Sequence, residues 1–213
     1  SHLTGRREFW SLDFEITADT LDPRPDSETV VEAALDCLPD RNAEIRIADL
    51  GTGTGCLLAA LLSMLPRAWG VGVDRSPAAA MVASRNLDRL GFSDRAGIAV
   101  GDWGQALNGR FDLIVANPPY IPTAEIALLQ PEVARFDPIP ALDGGSEGLD
   151  ALRDVVAALP KLLANGGNAV VEFGDAQKDA VSRFAEEASL KVNDIRADLA
   201  RRARCLVCGS AET

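Results

Sequence analysis

The tetrapeptide Asn117-Pro118-Pro119-Tyr120 is the most informative chemical signal in the sequence. It follows the apolar segment 111–116, which we predict to be a central strand. The two prolines lack N–H donors and fix φ, so the strand must end there. The freed main-chain carbonyls and the side-chain carbonyl of Asn117 can then accept both hydrogens of a planar NH₂ group, while Tyr120 offers a ring face for stacking.

This constellation suits methylation of a conjugated nitrogen. The lone pair of an amide or nucleobase amine is delocalised, and two acceptors on its hydrogens raise the electron density at nitrogen. Orientation and desolvation can supply much of the acceleration, so a strong general base is not required. The motif is shared by enzymes that methylate DNA adenine and enzymes that methylate glutamine, so both substrates remain open at this point.

A glycine-rich loop, Gly51-Thr52-Gly53-Thr54-Gly55, joins a short apolar strand to a helix. Its glycines permit a tight turn and let backbone amides approach a ligand. The dinucleotide fingerprint fails at its last position, which is Cys56, and Asp49 would repel a pyrophosphate. A ligand with an ammonium group and no phosphate would favour Asp49. S-adenosylmethionine, which yields S-adenosylhomocysteine, has both properties and is the predicted cofactor.

Two more predicted strands end in residues that suit a nucleoside. Asp74 follows the second strand, where a carboxylate can accept both ribose hydroxyls. Asp102 and Trp103 follow the third, where an acid and an indole suit an adenine ring. Together with the glycine loop, these residues predict an adenosine ligand.

The elements that must position these residues are strands alternating with helices. The pattern predicts an α/β, doubly wound fold with a parallel sheet and the ligand at the carboxyl ends of the strands. Residues 9–16 predict a strand or hairpin arm, and Asp26 is a candidate N-cap for the first helix. Predicted strands are 45–50, 69–73, 98–100, 111–116 and 169–173, with two weaker ones in 190–208; predicted helices are 27–38, one from the glycine loop through 65, 77–90, 149–163 and 176–188.

Composition excludes several other classes. The 213 residues are 47% hydrophobic and 25% charged, which is ordinary for a folded domain. No apolar run approaches the ~20 residues of a membrane span. The net charge of −11 disfavours general electrostatic binding to nucleic acid, so no direct nucleic-acid binding is expected.

Histidine and cysteine chemistry is also disfavoured. His2 is the single histidine, which argues against a histidine base or ligand. Cys205 and Cys208 have the spacing of a redox or metal pair, but they fall in a predicted strand, where residues three apart face opposite sides. We predict that they are small buried side chains in a reducing cytoplasm and that the chain has no metal site.

The sequence resembles the HemK/PrmC protein-(glutamine-N5) methyltransferases, which modify the Gly-Gly-Gln motif of peptide-chain release factors. Flanking segments carry the resemblance in order along nearly the whole chain, which adenine-DNA methyltransferases would not be expected to match. Ser27 stands where the family usually has threonine. The similar segments are Glu8-Phe9-Trp10, residues 22–28 (Asp-Pro-Arg-Pro-Asp-Ser-Glu), 49–55, 101–103, 117–120, 140–145, 148–149, 171–174, Gln177 and 198–200.

The resemblance implies a Rossmann-like class I S-adenosylmethionine-dependent methyltransferase fold with a mostly parallel seven-stranded sheet. It implies that Gly51 to Gly55 contact the methionine part of the cofactor, that Asp74 binds the ribose, and that Asn117 to Tyr120 hold the glutamine amide, with Asn117 also touching the cofactor. The implied substrates are release factors in the cytoplasm, with a ribosomal-protein glutamine as an alternative. The implied division is an N-terminal hairpin and linker at 1–26 and a catalytic domain at 27–213, without the family's helical N-terminal domain.

Overall fold

The computed structural model describes residues 5–130, 133 and 137–210. Residues 1–4, which include His2, and residues 131–132, 134–136 and 211–213 therefore lie outside the described residues. A two-stranded hairpin, β1 (Arg6–Phe9) and β2 (Leu12–Glu15), precedes a seven-stranded sheet. The sheet strands are β3 (Arg46–Leu50), β4 (Trp69–Asp74), β5 (Ala96–Val100), β6 (Phe111–Ala116), β7 (Leu163–Glu172), β8 (Leu190–Ala197) and β9 (Ala203–Ser210).

The predicted doubly wound, mostly parallel sheet is confirmed. Its strand order is β5-β4-β3-β6-β7-β9-β8, with parallel pairing from β5 to β7. Strand β9 is antiparallel to both of its neighbours, β7 and β8. A short turn between β8 and β9 reverses the chain and permits the second of these pairings. The strand predicted at 169–173 is longer than expected and begins at Leu163.

Five helices of at least nine residues flank the sheet in the described part of the chain. Packing of apolar side chains on the two sheet faces produces two core clusters. Along β6, Leu113 and Val115 contribute to one cluster, whereas Ile114 and Ala116 contribute to the other, as the two-residue period of a strand requires. The helices are α1 (Glu28–Asp36), α2 (Cys56–Met64), α3 (Pro77–Arg89), α4 (Asp150–Leu162) and α5 (Lys178–Glu187).

The hairpin belongs to the first of these clusters. Phe9 and Phe14 are buried, and their rings meet edge to face at 6.5 Å between centroids. Buried Asn86 of α3 joins the hairpin to the glycine loop. Its Nδ2 donates to the carbonyls of Glu15 and Thr54, both at 3.0 Å, and its Oδ1 accepts from the Glu15 amide. Asn86 therefore connects the hairpin to the glycine loop through hydrogen bonds.

The carboxyl ends of β3 and β6 form the switch point of the sheet. The chain first builds outward through β4 and β5, then returns to the other side of β3 with β6. Leu50 and Ala116 are paired in register at the ends of these strands. The glycine loop and the tetrapeptide therefore start side by side at the position where doubly wound sheets bind ligands.

Two local expectations have different outcomes. The prediction of Asp26 as N-cap is wrong, because residues Pro25–Ser27 form a 3-10 turn and Ser27 is the residue that precedes α1. Asp26 instead faces Arg202 and Arg204 at 3.7 and 3.5 Å. The prediction that Cys205 and Cys208 are buried on opposite faces of a strand is confirmed, since they lie in different core clusters.

The described helices include none that is both long and apolar enough to span a membrane.

Candidate active site

A cavity of about 320 Å³ lies over the glycine loop at the carboxyl ends of β3, β4 and β5. We call it the glycine-loop cavity. Eight of the predicted cofactor residues line it: Gly51, Thr52, Gly53, Thr54, Asp74, Asp102, Trp103 and Asn117.

The glycine loop is tied down by strand β4. The amides of Gly51 and Thr52 both donate to the Val73 carbonyl, at 2.8 and 2.9 Å. Gly51 has a φ of +78°, and a Cβ there would lie 3.1 Å from the Trp103 ring. Glycine is therefore required both by the backbone conformation and by the close approach of the indole.

Asp74 is held by two backbone amides. The Gly53 amide donates to Oδ2 and the Ser76 amide donates to Oδ1, each at 2.9 Å. The carboxylate is fixed at the cavity wall, and each of its oxygens keeps a further lone pair. It can accept two adjacent hydroxyls of a ligand without moving.

Asp49 is fully buried below the loop and does not line the cavity. Its Oδ2 accepts from the Thr52 hydroxyl at 2.7 Å, while Oδ1 has no regular hydrogen-bond partner among the described residues. Burial raises the pKa of Asp49 to about 7, although Thr52 and the Leu58 amide oppose this shift. A nearby cationic group would stabilise the carboxylate and lower that pKa. Gly55, also predicted as a cofactor residue, lies outside the lining and precedes α2.

A second cavity, of about 360 Å³, lies beside the tetrapeptide, and we call it the tetrapeptide cavity. Pro118 and Tyr120 line it together with the end of β7. The two cavities share walls, so a group bound in one lies next to a group bound in the other. Their common residues are Leu21, Arg24, Asn117, Pro119 and Ala141.

Hydrogen bonds from both sides fix the tetrapeptide. Asn117 Nδ2 donates to Ser27 Oγ at 3.0 Å, and Tyr120 OH donates to Glu172 Oε1 at 3.0 Å. Gln177 Nε2 donates to the carbonyls of Tyr120 and Gly148. Burial and the Glu172 charge raise the pKa of Tyr120, so this phenol remains a neutral donor.

Residues of two segments, 18–24 and 138–141, also border the glycine-loop cavity, and we call these segments the strap. Buried Asp137 joins its two parts. It forms an ion pair with Arg24 and accepts from the Asp22 amide at 3.2 Å. The two parts of the strap overlap the turn-rich 22–28 segment and the 140–145 segment. The sequence pattern identified both segments but gave neither a position in the site.

Glu172 is a site residue that sequence reasoning from strand ends did not select. It is the last residue of β7, 1% exposed, and it lines the tetrapeptide cavity. A carboxylate that directly follows the apolar run Ala169 to Val171 was the available signal, because it falls at the same edge of the sheet as Asp74 and Asn117.

Comparison with known proteins assigns the chain to a family. The family model for the methyltransferase small domain matches residues 27–130. The chain is 53% identical over 207 residues to the release factor glutamine methyltransferase of Rhodospirillum rubrum, covering 97% of this chain and 63% of that protein. It is 46% identical over 203 residues to the enzyme of the same name from Bradyrhizobium diazoefficiens, covering 94% of this chain and 68% of that protein.

A solved structure confirms the fold. A methyltransferase from Pyrococcus furiosus superposes with a TM-score of 0.68 at 17% identity, covering 92% of this chain and 88% of that one. The chain thus spans about two thirds of the length of the two curated relatives and carries a methyltransferase fold. On the basis of these similarities, the chain belongs to the release factor glutamine methyltransferase family.

Proposed function

We propose that the chain transfers a methyl group from S-adenosylmethionine to the side-chain amide nitrogen of a glutamine, in the Gly-Gly-Gln motif of release factors. The observation that carries this proposal is the shared wall of the two cavities at Asn117 and Pro119. Such a wall lets a methyl donor and an amide lie in contact, as an in-line displacement requires. A release-factor substrate would place the reaction in the cytoplasm.

The residues present fit S-adenosylmethionine. Asp74 can accept two ribose hydroxyls, Trp103 can border an adenine, and the charge of the Asp49 carboxylate, buried below the loop, would favour a ligand ammonium bound above it. When bound, the cofactor supplies a methyl group on a positively charged sulfur. Asp102, which precedes Trp103, also lines the glycine-loop cavity.

In this proposal the tetrapeptide binds and orients the glutamine amide. Asn117 Nδ2 is engaged by Ser27, so Oδ1 is left to accept an amide hydrogen of the glutamine. The Pro118 carbonyl accepts the second hydrogen, and the prolines and the Tyr120 ring form a narrow slot. With both hydrogens held, the nitrogen lone pair is directed toward the donor, and the apolar walls exclude water.

The test compares substrates in parallel with labelled S-adenosylmethionine. We expect labelling of a release factor and none of its variant with Gly-Gly-Glu, because a carboxylate has no NH₂ hydrogens for Asn117 and Pro118. Double-stranded DNA and ribosomal proteins are the comparison substrates. Faster labelling of adenine-containing DNA than of any glutamine protein would overturn the proposal.

A further inference from the structure

The orientation of the Asn117 amide decides whether the tetrapeptide can hold a substrate NH₂ group. A rotation of the amide by about 180° exchanges its acceptor and its donor with almost no change in shape. Among the described residues, the hydrogen bond that the Asn117 side chain forms is the one to Ser27. A neighbouring group must therefore keep Nδ2 on the Ser27 side and Oδ1 on the cavity side.

Ser27 alone does not make this selection. Its buried hydroxyl lies 3.0 Å from Asn117 Nδ2, but a hydroxyl can donate as well as accept. With its proton directed toward Asn117, Ser27 would stabilise the wrong orientation. The orientation of the Asn117 amide therefore depends on the group to which the Ser27 hydroxyl donates its hydrogen.

Glu172 is that group. An ionised carboxylate only accepts hydrogen bonds, so a hydroxyl that faces it must donate. Glu172 Oε2 is buried and has no hydrogen bond of regular geometry among the described residues, so it can accept one. The Ser27 side chain lies close enough to this carboxylate to lower the pKa of Glu172. Once Ser27 donates to Glu172, its oxygen is left to accept from Asn117 Nδ2.

Four charged or titratable groups of the described residues interact with Glu172: Tyr120, Arg204, Asp26 and the buried thiol of Cys205, whose pKa burial and the Glu172 charge raise. Tyr120 donates to the other carboxyl oxygen of Glu172, Oε1, which holds the carboxyl plane and the ring wall together. The charge of Arg204, a buried side chain that donates to Asp198 at 3.0 Å, favours the carboxylate, whereas the charge of Asp26 opposes it. Burial outweighs these stabilising contacts and raises the pKa of Glu172 above its ordinary value.

We propose that Glu172 is a positioning residue, which orients Asn117 Oδ1 toward the substrate amide by accepting the Ser27 proton. This inference rests on the proposed function. It assigns Glu172 no contact with the reacting atoms, since its effect passes through Ser27.

The first test is Glu172→Gln, which keeps the shape but introduces a donor toward Ser27. We expect kcat for release-factor methylation to fall roughly 10-fold or more, the scale for a misdirected polar group at a reacting centre. Affinity for S-adenosylhomocysteine should stay within about two-fold, because Glu172 does not line the glycine-loop cavity and Asp74 and Trp103 are unchanged. Glu187→Gln, an exposed change of the same type at the end of α5, is the control and should leave kcat unchanged.

The second test separates a relay through Ser27 from direct contact with substrate. Ser27→Ala should lower kcat about as much as Glu172→Gln, and the double variant should be no worse than either single one, as residues acting in one chain require. Ser27→Thr keeps the hydroxyl and should restore most of the activity that Ser27→Ala loses. Additive losses, or equal losses in Ser27→Ala and Ser27→Thr, would overturn the inference.

A pH profile provides a readout that a purely structural role would not give. At saturating cofactor, wild-type kcat should fall as the pH drops through the raised pKa of Glu172, because a protonated carboxyl can donate to Ser27. The kcat of Glu172→Gln should not show this decrease at low pH.

If Glu172→Gln does not fold, the comparison of Ser27→Ala with Ser27→Thr tests the inference. If the wild-type chain labels no glutamine protein, the proposed function itself fails, whereas a labelling wild type with fully active Glu172→Gln refutes this inference alone.

Discussion

The Gly53 amide donates to Asp74 Oδ2 over 2.9 Å, which ties the glycine loop after β3 to the end of β4. The same carboxylate accepts from the Ser76 amide, so one side chain holds two backbone segments and still faces the glycine-loop cavity. Loop geometry and ligand binding therefore depend on the same residue.

Asp74→Ala should weaken binding of S-adenosylhomocysteine by about 1.5–3 kcal/mol, the range for losing hydrogen bonds to a charged group. Isothermal calorimetry measures this directly, with exposed Asp94→Ala as the control that should bind normally. The wild type should show no detectable NAD binding. Comparable affinity for NAD would contradict the assignment of the cavity.

Gly51→Ala should weaken cofactor binding more than its effect on stability explains. The left-handed backbone costs alanine ~1–2 kcal/mol, and its Cβ would also press on the Trp103 ring. Gly91→Ala is a matched control, with a φ of +80° against +78° but open space around the new methyl group. Thermal melts should show a loss for both variants, larger for Gly51→Ala, while calorimetry should show a binding defect only for Gly51→Ala.

Cofactor binding should release a proton from Asp49. The folded-state pKa of Asp49, about 7, lies above its ordinary value of 3.8, so this group contributes its full stability below about pH 4 and loses that contribution as pH rises to about 7. A ligand ammonium favours the carboxylate, so affinity for S-adenosylhomocysteine should increase as pH rises through that range. The charge of neighbouring Asp74 acts in the opposite direction.

Calorimetry at about pH 6 in buffers of different ionisation enthalpy measures this release. Asp49→Asn removes the titrating group and should abolish that proton, with Asp74 left intact. Equal proton release by the wild type and Asp49→Asn would show that Asp49 does not sense the ligand charge.

Asn117→Ala should lower methyl transfer by ~100-fold or more, a typical loss for one aligned polar group at a reacting centre. The glycine loop is unchanged, so cofactor affinity should fall much less. Single-turnover assays with the release factor, combined with calorimetry, separate the two effects. Activity within a few-fold of wild type would rule out the tetrapeptide as the substrate clamp.

Asn86→Ala should destabilise the chain by about 1–3 kcal/mol, because it leaves buried backbone groups of Glu15 and Thr54 without partners. Urea unfolding measures this loss. Asn193→Ala is the control, since its hydrogen bond to Asn168 is exposed and its loss should change stability by less than about 0.5 kcal/mol. Equal effects would mean that the hairpin is not held through Asn86.

The sequence alone predicted the features that depend on local backbone rules. Glycines allowed the turn after β3, and Pro118 and Pro119 ended β6, because φ restrictions act within a few residues. The alternating apolar pattern predicted the strands, and the parallel fold then brought Asp74, Trp103 and Asn117 to one edge. These positions required no knowledge of how distant segments pack.

Only the tertiary structure decided how those residues are supported. Ser27 meets Asn117 across 90 positions, and Glu172 meets Tyr120 across 52. In the tertiary structure Asp49 is buried below the loop rather than placed at the cavity wall, and Asp26 forms an ion pair with Arg204 rather than a helix cap. Such contacts depend on strand order and on which element packs against which, and these are set by the burial of the whole core rather than by residue spacing along the chain.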